Sequence, residues 1–319
     1  MTIFDKIMDL RYHKQPKLKE IKKALLFRQT QYKEIIDQNK RVHDNNKLNL
    51  IEQERWNRQL FHPLLNQKKI KNARVVVFGC GGIGSNALMG LIYSGVQNFK
   101  IIDFDSIALS NLNRQTLYIP RDVKFVKSIK AKERLLQINP EARVKAYNIE
   151  LDYPLNLNLL NSEKRDYTQN IAKIDKLIKW GDYIINAVDY KGAPYLINDL
   201  CVKNQKPYYW GGVNHFLGEI YSFYPHLNTP CLRCIFGQTD FIKGIPFLRY
   251  REKKDRFKGI NLGSTVIATG TFISELIVHD ICEIKNVAHG CYFIFDSYNL
   301  EILKIPLDVD AECECQKFN

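Results

Sequence analysis

Short apolar runs alternate with amphipathic segments from residue 74 onward, and the two kinds of segment have different periods. The runs RVVVFG, FKIIDFD, ARVKAYNIE, YIINAV and PYYWGGV have the length and the residue types of buried strands. Helical spacing of apolar residues lies between them, over residues 83–93, 128–137, 171–179 and 193–203. Strands that alternate with helices predict an α/β fold, with a mostly parallel sheet and helices on both of its faces.

The pattern changes toward the C-terminus. GEIYSFYP and CYFIFDSYNLEILKIPL alternate like strands, and the second segment contains two strand-like halves with no helix between them. We therefore expect an antiparallel C-terminal extension of the sheet. Residues 236–262 are basic and contain several glycines, which is typical of a long functional loop.

The first 50 residues differ from the rest because they are rich in charge and contain no glycine. An imperfect apolar stripe at helical spacing predicts an N-terminal helical arm. The stripe consists of Leu18, Ile21, Leu25, Leu26, Tyr32 and Ile35. We expect two parts in the chain: an arm over residues 1–50, which could be a reduced peptide clamp or a dimer element, and a main domain over residues 51–319.

Composition narrows the class of protein. A hydrophobic content of 45% and a charged content of 25% in 319 residues are ordinary for a globular protein. No apolar run approaches the roughly 18 residues of a membrane helix, and the N-terminus lacks the apolar region of a secretion signal, so we expect a cytoplasmic protein without a membrane segment. The net charge of +13 is compatible with an RNA partner, but the scattered basic residues favour a general Lys- and Asn-rich composition.

A glycine-rich turn follows the first predicted strand. The sequence GCGGIGS places Gly79, Gly81 and Gly84 in a G-x-G-x-x-G pattern, with Gly82 inside it. Glycines let the backbone approach phosphate oxygens, and the next helix would add free N–H groups there. Asp103 ends the second strand, where a carboxylate can bind ribose hydroxyls. The pattern predicts a Rossmann-like nucleotide site, with either a redox dinucleotide or ATP as the ligand.

Charged and amide side chains before and after this turn favour ATP, with Arg58 upstream of the first strand and the others downstream. They are Arg58, Asn111, Arg114, Gln115, Lys127 and Asp189. Hydride transfer has no use for so many cations, whereas attack on phosphorus spreads negative charge over the phosphate oxygens. Arginine and lysine can neutralise that charge, and an aspartate at a strand end can hold Mg²⁺ through its oxygens.

The segments ERWNRQL, GCGGIGS, IIDFD, LSNLNRQTL, KSIKAK and NAVDY, in this order, resemble the ThiF/MoeB/HesA family of ubiquitin-activating-type adenylyltransferases. The resemblance covers roughly residues 52–319. It implies binding of ATP and Mg²⁺ and adenylation of the C-terminal carboxylate of a peptide or a small β-grasp protein. It also implies a homodimer, because Arg58 would reach the γ-phosphate from the partner subunit.

The resemblance further implies roles for the other residues. Gly81 and Gly82 would approach ATP, Asp103 would bind the ribose, and Asp189 would carry Mg²⁺. Arg58, Arg114, Lys127 and Asp189 form the implied catalytic set. The implied ATP-binding set is Gly79, Gly81, Gly82, Gly84, Asp103, Asp105, Asn111, Arg114, Gln115 and Lys127.

Four of the eight cysteines form two close pairs. Cys231 and Cys234 form C-x-x-C, and Cys313 and Cys315 form C-x-C. Four thiolates suit tetrahedral Zn²⁺, so we predict a structural zinc site. The remaining cysteines, Cys80, Cys201, Cys282 and Cys291, are expected to be packing residues, although Cys80 lies inside the glycine loop, where it could be accessible.

The chain has no cysteine between Cys234 and Cys282, where relatives that form a thioester or persulfide carry one. This absence, with GCGGIG and NLNRQ, resembles the microcin C-type (MccB-like) peptide adenylyltransferases, so peptide nucleotidylation is our first hypothesis. Activation of a sulfur carrier of the ThiS/MoaD type is the alternative. A tRNA threonylcarbamoyladenosine dehydratase and a non-catalytic partner subunit are two further alternatives, and an NAD-dependent oxidoreductase is the least favoured.

Overall fold

In the computed structural model, the described residues are 16–38, 48–151, 167–188, 192–236, 261–284, 288–313 and 315. They belong to two compact units, which comprise residues 1–66 and 67–319. Most of the loop predicted over residues 236–262 lies outside the described residues, and the domain boundary after residue 50 stays a prediction.

The first unit contains the helical arm. Its helices are α1 (Pro16–Gln38), α2 (Leu50–Arg55) and α3 (Asn57–Leu60). Asn49 caps α2, since the Glu52 N–H donates to Asn49 Oδ1 at 2.8 Å and the Asn49 N–H donates to Glu52 Oε2 at 3.0 Å. Several apolar side chains of α1, among them Ile21 and Leu26, are exposed.

The second unit contains one sheet of eight strands in the order β3-β2-β1-β4-β5-β6-β7-β8. The strands are β1 (Arg74–Phe78), β2 (Asn98–Ile102), β3 (Arg143–Tyr147), β4 (Tyr183–Asn186), β5 (Tyr208–Asn214), β6 (Leu217–Phe223), β7 (Cys291–Asp296) and β8 (Glu301–Pro306). Strands β1 to β5 pair in parallel, and β5 to β8 pair antiparallel. Both the Rossmann-like parallel part and the antiparallel extension are therefore confirmed.

Helices cover the two faces of this sheet. They are α4 (Gln67–Asn72), α5 (Gly82–Ser94), α6 (Lys127–Ile138), α7 (Tyr167–Trp180), α8 (Ala193–Lys203), α9 (Leu232–Phe236) and α10 (Gly263–Ile281). On one face, Val76 and Phe78 of β1 share a core with Ile178 of α7. On the other face, Gly211 lets Ile273 of α10 and Ile83 of α5 approach the sheet. No helix within the described ranges combines the length and apolar character needed to cross a bilayer.

Helix α10 is an element that the hydrophobic pattern does not predict. Its buried side includes Thr265, Thr269 and Ser274, which are weak helix formers, so its apolar stripe is interrupted. It packs closely on α5 because a Cβ at Gly90 would lie 2.1 Å from Ser274 Oγ, and one at Gly270 would lie 2.7 Å from Asn86 Cβ. Tertiary packing therefore stabilises a helix that local propensity leaves ambiguous.

Candidate functional site

A cavity of about 450 Å³ opens at the carboxyl ends of the parallel strands. This is the edge at which open α/β sheets bind their ligands. The predicted ATP-binding residues that line it are Gly79, Gly81, Gly82, Asp103, Asp105, Asn111, Arg114, Gln115 and Lys127. The structure therefore brings together side chains that lie up to 48 positions apart in the sequence.

The glycine loop forms the floor of the cavity, between β1 and α5. Gly79 has a φ of +90°, and a Cβ there would lie 2.6 Å from the Ala187 carbonyl oxygen. A Cβ at Gly84 would lie 1.8 Å from the Gly79 carbonyl oxygen, so no other residue fits this position. Gly84 does not line the cavity but lies behind the loop, and it lets α5 begin close to the strand.

Helix α5 directs its first turn at the cavity. Its first N–H groups have no acceptor within the helix, because such acceptors would have to come from residues before its start. These groups and the helix dipole attract anions. Asn86 holds the loop in place, since its amide donates to the Gly82 carbonyl at 2.7 Å and to the Arg114 carbonyl at 2.8 Å. Sequence reasoning missed Asn86 because it lies inside a helix rather than in a motif.

Asp103 is buried at the end of β2. Its carboxylate accepts the Cys80 N–H at 2.7 Å and the Asp105 N–H at 2.8 Å. Burial raises the pKa of this carboxyl above its usual value, while Lys127 and the two N–H donors oppose the rise. A carboxylate can accept about four hydrogen bonds, so Asp103 keeps capacity for two hydroxyl groups of a ligand.

Lys127 begins helix α6 beside Asp103, and its side chain is mostly buried. Its ammonium donates to Asp105 Oδ2 at 2.7 Å. The sequence patterns also did not indicate Tyr118. Its hydroxyl donates to the Cys80 carbonyl at 2.8 Å and so holds the glycine loop in place. The lysine is thus fixed at the cavity wall by one carboxylate whose own side chain is half exposed.

Arg114 lies beside the glycine loop, on the segment after β2, where a Cβ at Gly82 would lie 3.6 Å from its Cδ. Its Nη1 donates to the Ser110 carbonyl at 2.9 Å and to Asn113 Oδ1 at 2.8 Å, both of which are uncharged. Within the described part of the chain, its guanidinium has no carboxylate partner within salt-bridge distance. Burial lowers the pKa of Arg114, as expected for a cation that neighbouring carboxylates do not stabilise.

Two amide side chains complete this part of the cavity. Asn111 Oδ1 accepts the Ala108 N–H at 3.0 Å, which fixes the turn that carries Arg114. Gln115 is buried, and its Oε1 has no hydrogen-bond partner among the described residues. A buried acceptor without a donor beside a phosphate-binding turn is consistent with a donor supplied by a ligand or by water.

The far end of the cavity is apolar. Its wall consists of Ile149, Leu151, Trp210, Val213, Leu232 and Phe236, together with Gly211 and Gly212 of β5. Val266 also lines the cavity, but it lies beside Gly82 of the glycine loop. The sequence patterns did not assign any of these residues to the site. A cationic end and an apolar end suit a nucleotide phosphate and a peptide-like chain, respectively.

Arg58 and Asp189 remain predictions. Arg58 is exposed on α3, in the first unit. Asp189 lies outside the described residues, although Ala187 and Val188, which precede it after β4, line the cavity.

The two cysteine pairs meet in space. The sulfur atoms of Cys231, Cys234, Cys313 and Cys315 all lie within 4.8 Å of one another. The Sγ–Sγ distances are 3.7 Å for Cys231–Cys313, 3.9 Å for Cys231–Cys234 and 3.5 Å for Cys234–Cys315. A tetrahedral Zn²⁺ with Zn–S bonds of about 2.3 Å places its sulfurs about 3.8 Å apart, so this set fits the ion.

Electrostatics in this cluster also suit a metal. The close contact between the Cys231 and Cys234 sulfur atoms lowers the pKa of Cys234 to about 5, while the same contact and burial raise the pKa of Cys231. The cluster therefore holds one thiolate readily and disfavours further charge unless a cation is present. The remaining cysteines pack in the interior, and the expectation that Cys80 could be accessible is wrong, because Cys80 is fully buried with a raised pKa.

Comparison with known proteins gives one family and two groups of relatives. A model described as the ThiF family matches residues 45–317. A sulfur carrier protein adenylyltransferase of Thermus thermophilus is 34% identical over 192 residues, which are 58% of this chain and 64% of that protein. A probable adenylyltransferase/sulfurtransferase MoeZ of Mycobacterium tuberculosis is 35% identical over 173 residues, which are 53% of this chain and 40% of that protein. The chain thus matches about 40% to 64% of the length of these two relatives.

Solved structures support the fold. E. coli MccB with ATP superposes with a TM-score of 0.64 at 22% identity, covering 82% of this chain and 74% of that one. PaaA superposes with a TM-score of 0.68 at 20% identity, covering 93% of this chain and 98% of that one. At these identities the similarity establishes the architecture and leaves the substrate open.

Proposed function

This chain belongs to the ThiF family, and we propose that it is an ATP-dependent adenylyltransferase that activates the C-terminal carboxylate of a small protein. The observation that carries the proposal is the cavity itself. It combines a glycine loop at a helix N-terminus, the buried Asp103 carboxylate, and cations from Arg114 and Lys127. The names of the relatives, an adenylyltransferase and an adenylyltransferase/sulfurtransferase, support the same activity.

The reaction joins a carboxylate to the α-phosphorus of ATP. A carboxylate oxygen of the substrate forms a bond to this phosphorus, the bond to the β-phosphate oxygen breaks, and pyrophosphate leaves with the electron pair. Positioning and charge neutralisation can supply most of the acceleration, and no side-chain nucleophile is required.

Each wall of the cavity has a role in this proposal. Asp103 would bind the ribose hydroxyls, and the N–H groups of the Gly81–Gly82 turn would approach the phosphates. Arg114 and Lys127 would stabilise the charge that develops on the phosphate oxygens, with Asn111 fixing the arginine turn. Mg²⁺ held by Asp189 and the trans contribution of Arg58 in a homodimer are further parts of the proposal.

A ubiquitin-like sulfur carrier is the favoured substrate. The sequence relatives at 34% and 35% identity are named for a sulfur carrier and for sulfur transfer, whereas MccB is similar only as a structure below 25% identity. We therefore place the carrier ahead of the peptide-antibiotic hypothesis that the sequence motifs first favoured. Since residues 235–281 contain no cysteine, the proposed chemistry ends at the acyl-adenylate in this chain.

The other two hypotheses have weaker support. A non-catalytic partner subunit would not need cations fixed around the glycine loop as Arg114 and Lys127 are. A tRNA-modifying dehydratase would suit the charge of +13, but it would not explain the four cysteines, which its relatives typically lack.

ATP–pyrophosphate exchange tests the proposal. We expect exchange when a β-grasp carrier ending in Gly-Gly is added, and little with peptides ending in asparagine. The reverse result would favour the peptide hypothesis, and no exchange with any candidate would contradict adenylation.

Lys127→Ala is expected to lower the exchange rate about 100-fold to 1,000-fold, because it removes a fixed cation from the phosphate site. Lys130→Ala is the matched control, since Lys130 lies one turn further along α6 and pairs with the half-exposed Glu133. Its rate should equal that of the wild type. A Lys127→Ala protein with native rate would remove the role assigned to this residue.

Structural zinc at the four cysteines is part of the proposal. We expect one equivalent of zinc per chain by elemental analysis and its loss in Cys231→Ser, with a lower melting temperature. Cys201→Ser, which changes a buried cysteine outside the cluster, should keep the metal. An unchanged zinc content in Cys231→Ser would contradict the assignment.

A further inference from the structure

The strands β5, β6 and β7 carry a feature that the adenylation chemistry does not use. The register places Trp210 opposite Tyr221, which in turn lies opposite Tyr292. Two pairs further along, on the same face of the sheet, Gly212 lies opposite Glu219. Trp210 and Gly212 line the apolar end of the cavity, so this face of the sheet continues the cavity wall. We call Trp210, Gly212, Glu219 and Tyr292 the acidic notch.

Gly212 opens the notch. A Cβ at this position would lie 3.0 Å from Trp210 Cη2 and 3.4 Å from Glu219 Oε2. The edge of the Trp210 indole and the Glu219 carboxylate therefore both lie over Gly212, which has no side chain to fill the space between them. Trp210 and Tyr292 place their ring centroids 6.4 Å apart, with their planes inclined at 36°. The result is a carboxylate bordered by two aromatic rings at the edge of the cavity.

The chemistry of the notch favours a cation. Burial raises the pKa of the Glu219 carboxyl, while the neighbouring Tyr292 hydroxyl opposes the rise. A carboxylate can accept about four hydrogen bonds, so it retains capacity for donors from outside the fold. Aromatic faces attract cations through their quadrupoles, most strongly for tryptophan. A bound cation would also favour the ionised carboxylate that burial disfavours.

The two ends of the cavity carry different charged side chains. Arg114 and Lys127 lie at the glycine loop together with Asp103 and Asp105, whereas Glu219 lies behind the apolar wall, next to Gly212. A ligand with an anion at one end and a cation further back would match both ends. A peptide tail that carries a basic side chain a few residues before its reactive carboxylate has this pattern.

We propose that the acidic notch binds a lysine or arginine side chain near the C-terminus of the protein or peptide that is adenylated. The proposal rests on the proposed function and extends it, because Glu219 would determine the specificity of the enzyme for the C-terminal tail of its substrate. The cation would contact the Trp210 ring and the Glu219 carboxylate together.

The first test uses a β-grasp carrier ending in Gly-Gly as the substrate for exchange. Each of the residues before Gly-Gly is changed in turn to arginine or to methionine, which has a similar length without charge. At one position we expect arginine to raise kcat/KM by about tenfold or more over methionine, as for a desolvated charge pair. Glu219→Gln should abolish this preference, and Glu219→Lys should make the arginine carrier a poorer substrate than the methionine carrier.

Glu301→Gln is the matched control, since Glu301 is an exposed acid on β8 of the same sheet. Its preference for arginine should equal that of the wild type. A purely structural Glu219 would change the rates of the arginine and methionine carriers by the same factor. That result, or exchange without any preference in the wild type, would contradict cation binding by the acidic notch. The proposed adenylation activity would still stand.

A second measurement does not depend on activity. It tests whether the acidic notch binds a cation even where no carrier supports exchange. Fluorotryptophan-labelled protein is titrated with arginine amide and followed by fluorine NMR, with the Trp210 resonance assigned from Trp210→Phe. A saturable shift of that resonance that Glu219→Gln removes would support the notch while the proposed function fails. A Trp210 resonance that does not move, in a protein without exchange, would overturn both.

Discussion

Two carboxylates, the buried Asp103 and the partly buried Asp280, lie near opposite edges of the same sheet, and their surroundings differ. Asp103 lies at the carboxyl ends of the parallel strands, where backbone N–H groups of Cys80 and Asp105 hold it. Asp280 lies near the amino ends, where the hydroxyls of Tyr209 and Tyr224 donate to Oδ2 and the His289 ring lies 3.2 Å from Oδ1.

The difference lies in which groups satisfy the carboxylate. At Asp103 the donors belong to the backbone, and a cavity with cations lies beside it, so the side chain remains available to a ligand. At Asp280 protein side chains take up both oxygens, and Tyr209 and Tyr224 are themselves buried with raised pKa values. A buried acid is therefore a better indicator of function where the backbone, rather than a shell of side chains, satisfies it.

The largest effect is expected at the glycine loop, which lies beside Asp103. Gly84→Ala would place a Cβ 1.8 Å from the Gly79 carbonyl oxygen. We expect a loss of about 3 kcal/mol or more in the free energy of unfolding and no measurable ATP binding, because the loop must move. Gly81→Ala, whose Cβ would meet only Gln115 Nε2 at 3.7 Å, should keep its stability and lose ATP affinity alone. Denaturant unfolding and calorimetric ATP titration measure the two effects, and equal stabilities would contradict the steric argument.

The two acids can be compared directly. Asp103→Asn is expected to weaken ATP binding about tenfold or more, since an amide accepts fewer hydrogen bonds and carries no charge. Asp280→Asn should leave ATP affinity unchanged and lower the free energy of unfolding by about 1–3 kcal/mol, because tyrosine hydroxyls lose their acceptor. Weaker ATP binding in Asp280→Asn would show that the amino edge is coupled to the site.

The smallest effect is expected from removing one hydroxyl at the amino edge. Tyr224→Phe deletes one of the donors to Asp280 and keeps the aromatic contact with His289, whose ring centroid lies 4.0 Å away. We expect a loss of about 1 kcal/mol in stability by denaturant unfolding. A loss as large as that of Asp280→Asn would mean that Tyr224 alone satisfies the carboxylate.

The sequence predicted most of the parallel sheet because strands that are buried on both faces are short apolar runs. Such runs can be recognised from the local sequence alone. It also predicted the cavity residues of the glycine loop and the two cysteine pairs, which come close together as expected from their spacing. These signals are local, or depend on the rule that carboxyl ends of parallel strands share one edge.

What the sequence missed depends on contacts between distant segments. Helix α10 has threonine and serine on its buried side, so only its packing against α5 reveals it. The apolar wall around Trp210 becomes visible only when β5 and α9 are in place. Asp280 lies in a helix without any motif, and its partners Tyr209, Tyr224 and His289 come from three other segments.

The cysteine cluster has a consequence for the unfolded chain. Cys231 and Cys313 are 82 positions apart, and a metal that joins them closes a loop of that size. Cross-linking over such a distance lowers the entropy of the unfolded ensemble by the equivalent of about 4.5 kcal/mol, if the relation for disulfides is transferred to zinc. A metal bound there would also fix the start of α9, so its removal by a chelator would be expected to loosen the wall formed by Leu232 and Phe236 as well as favour unfolding.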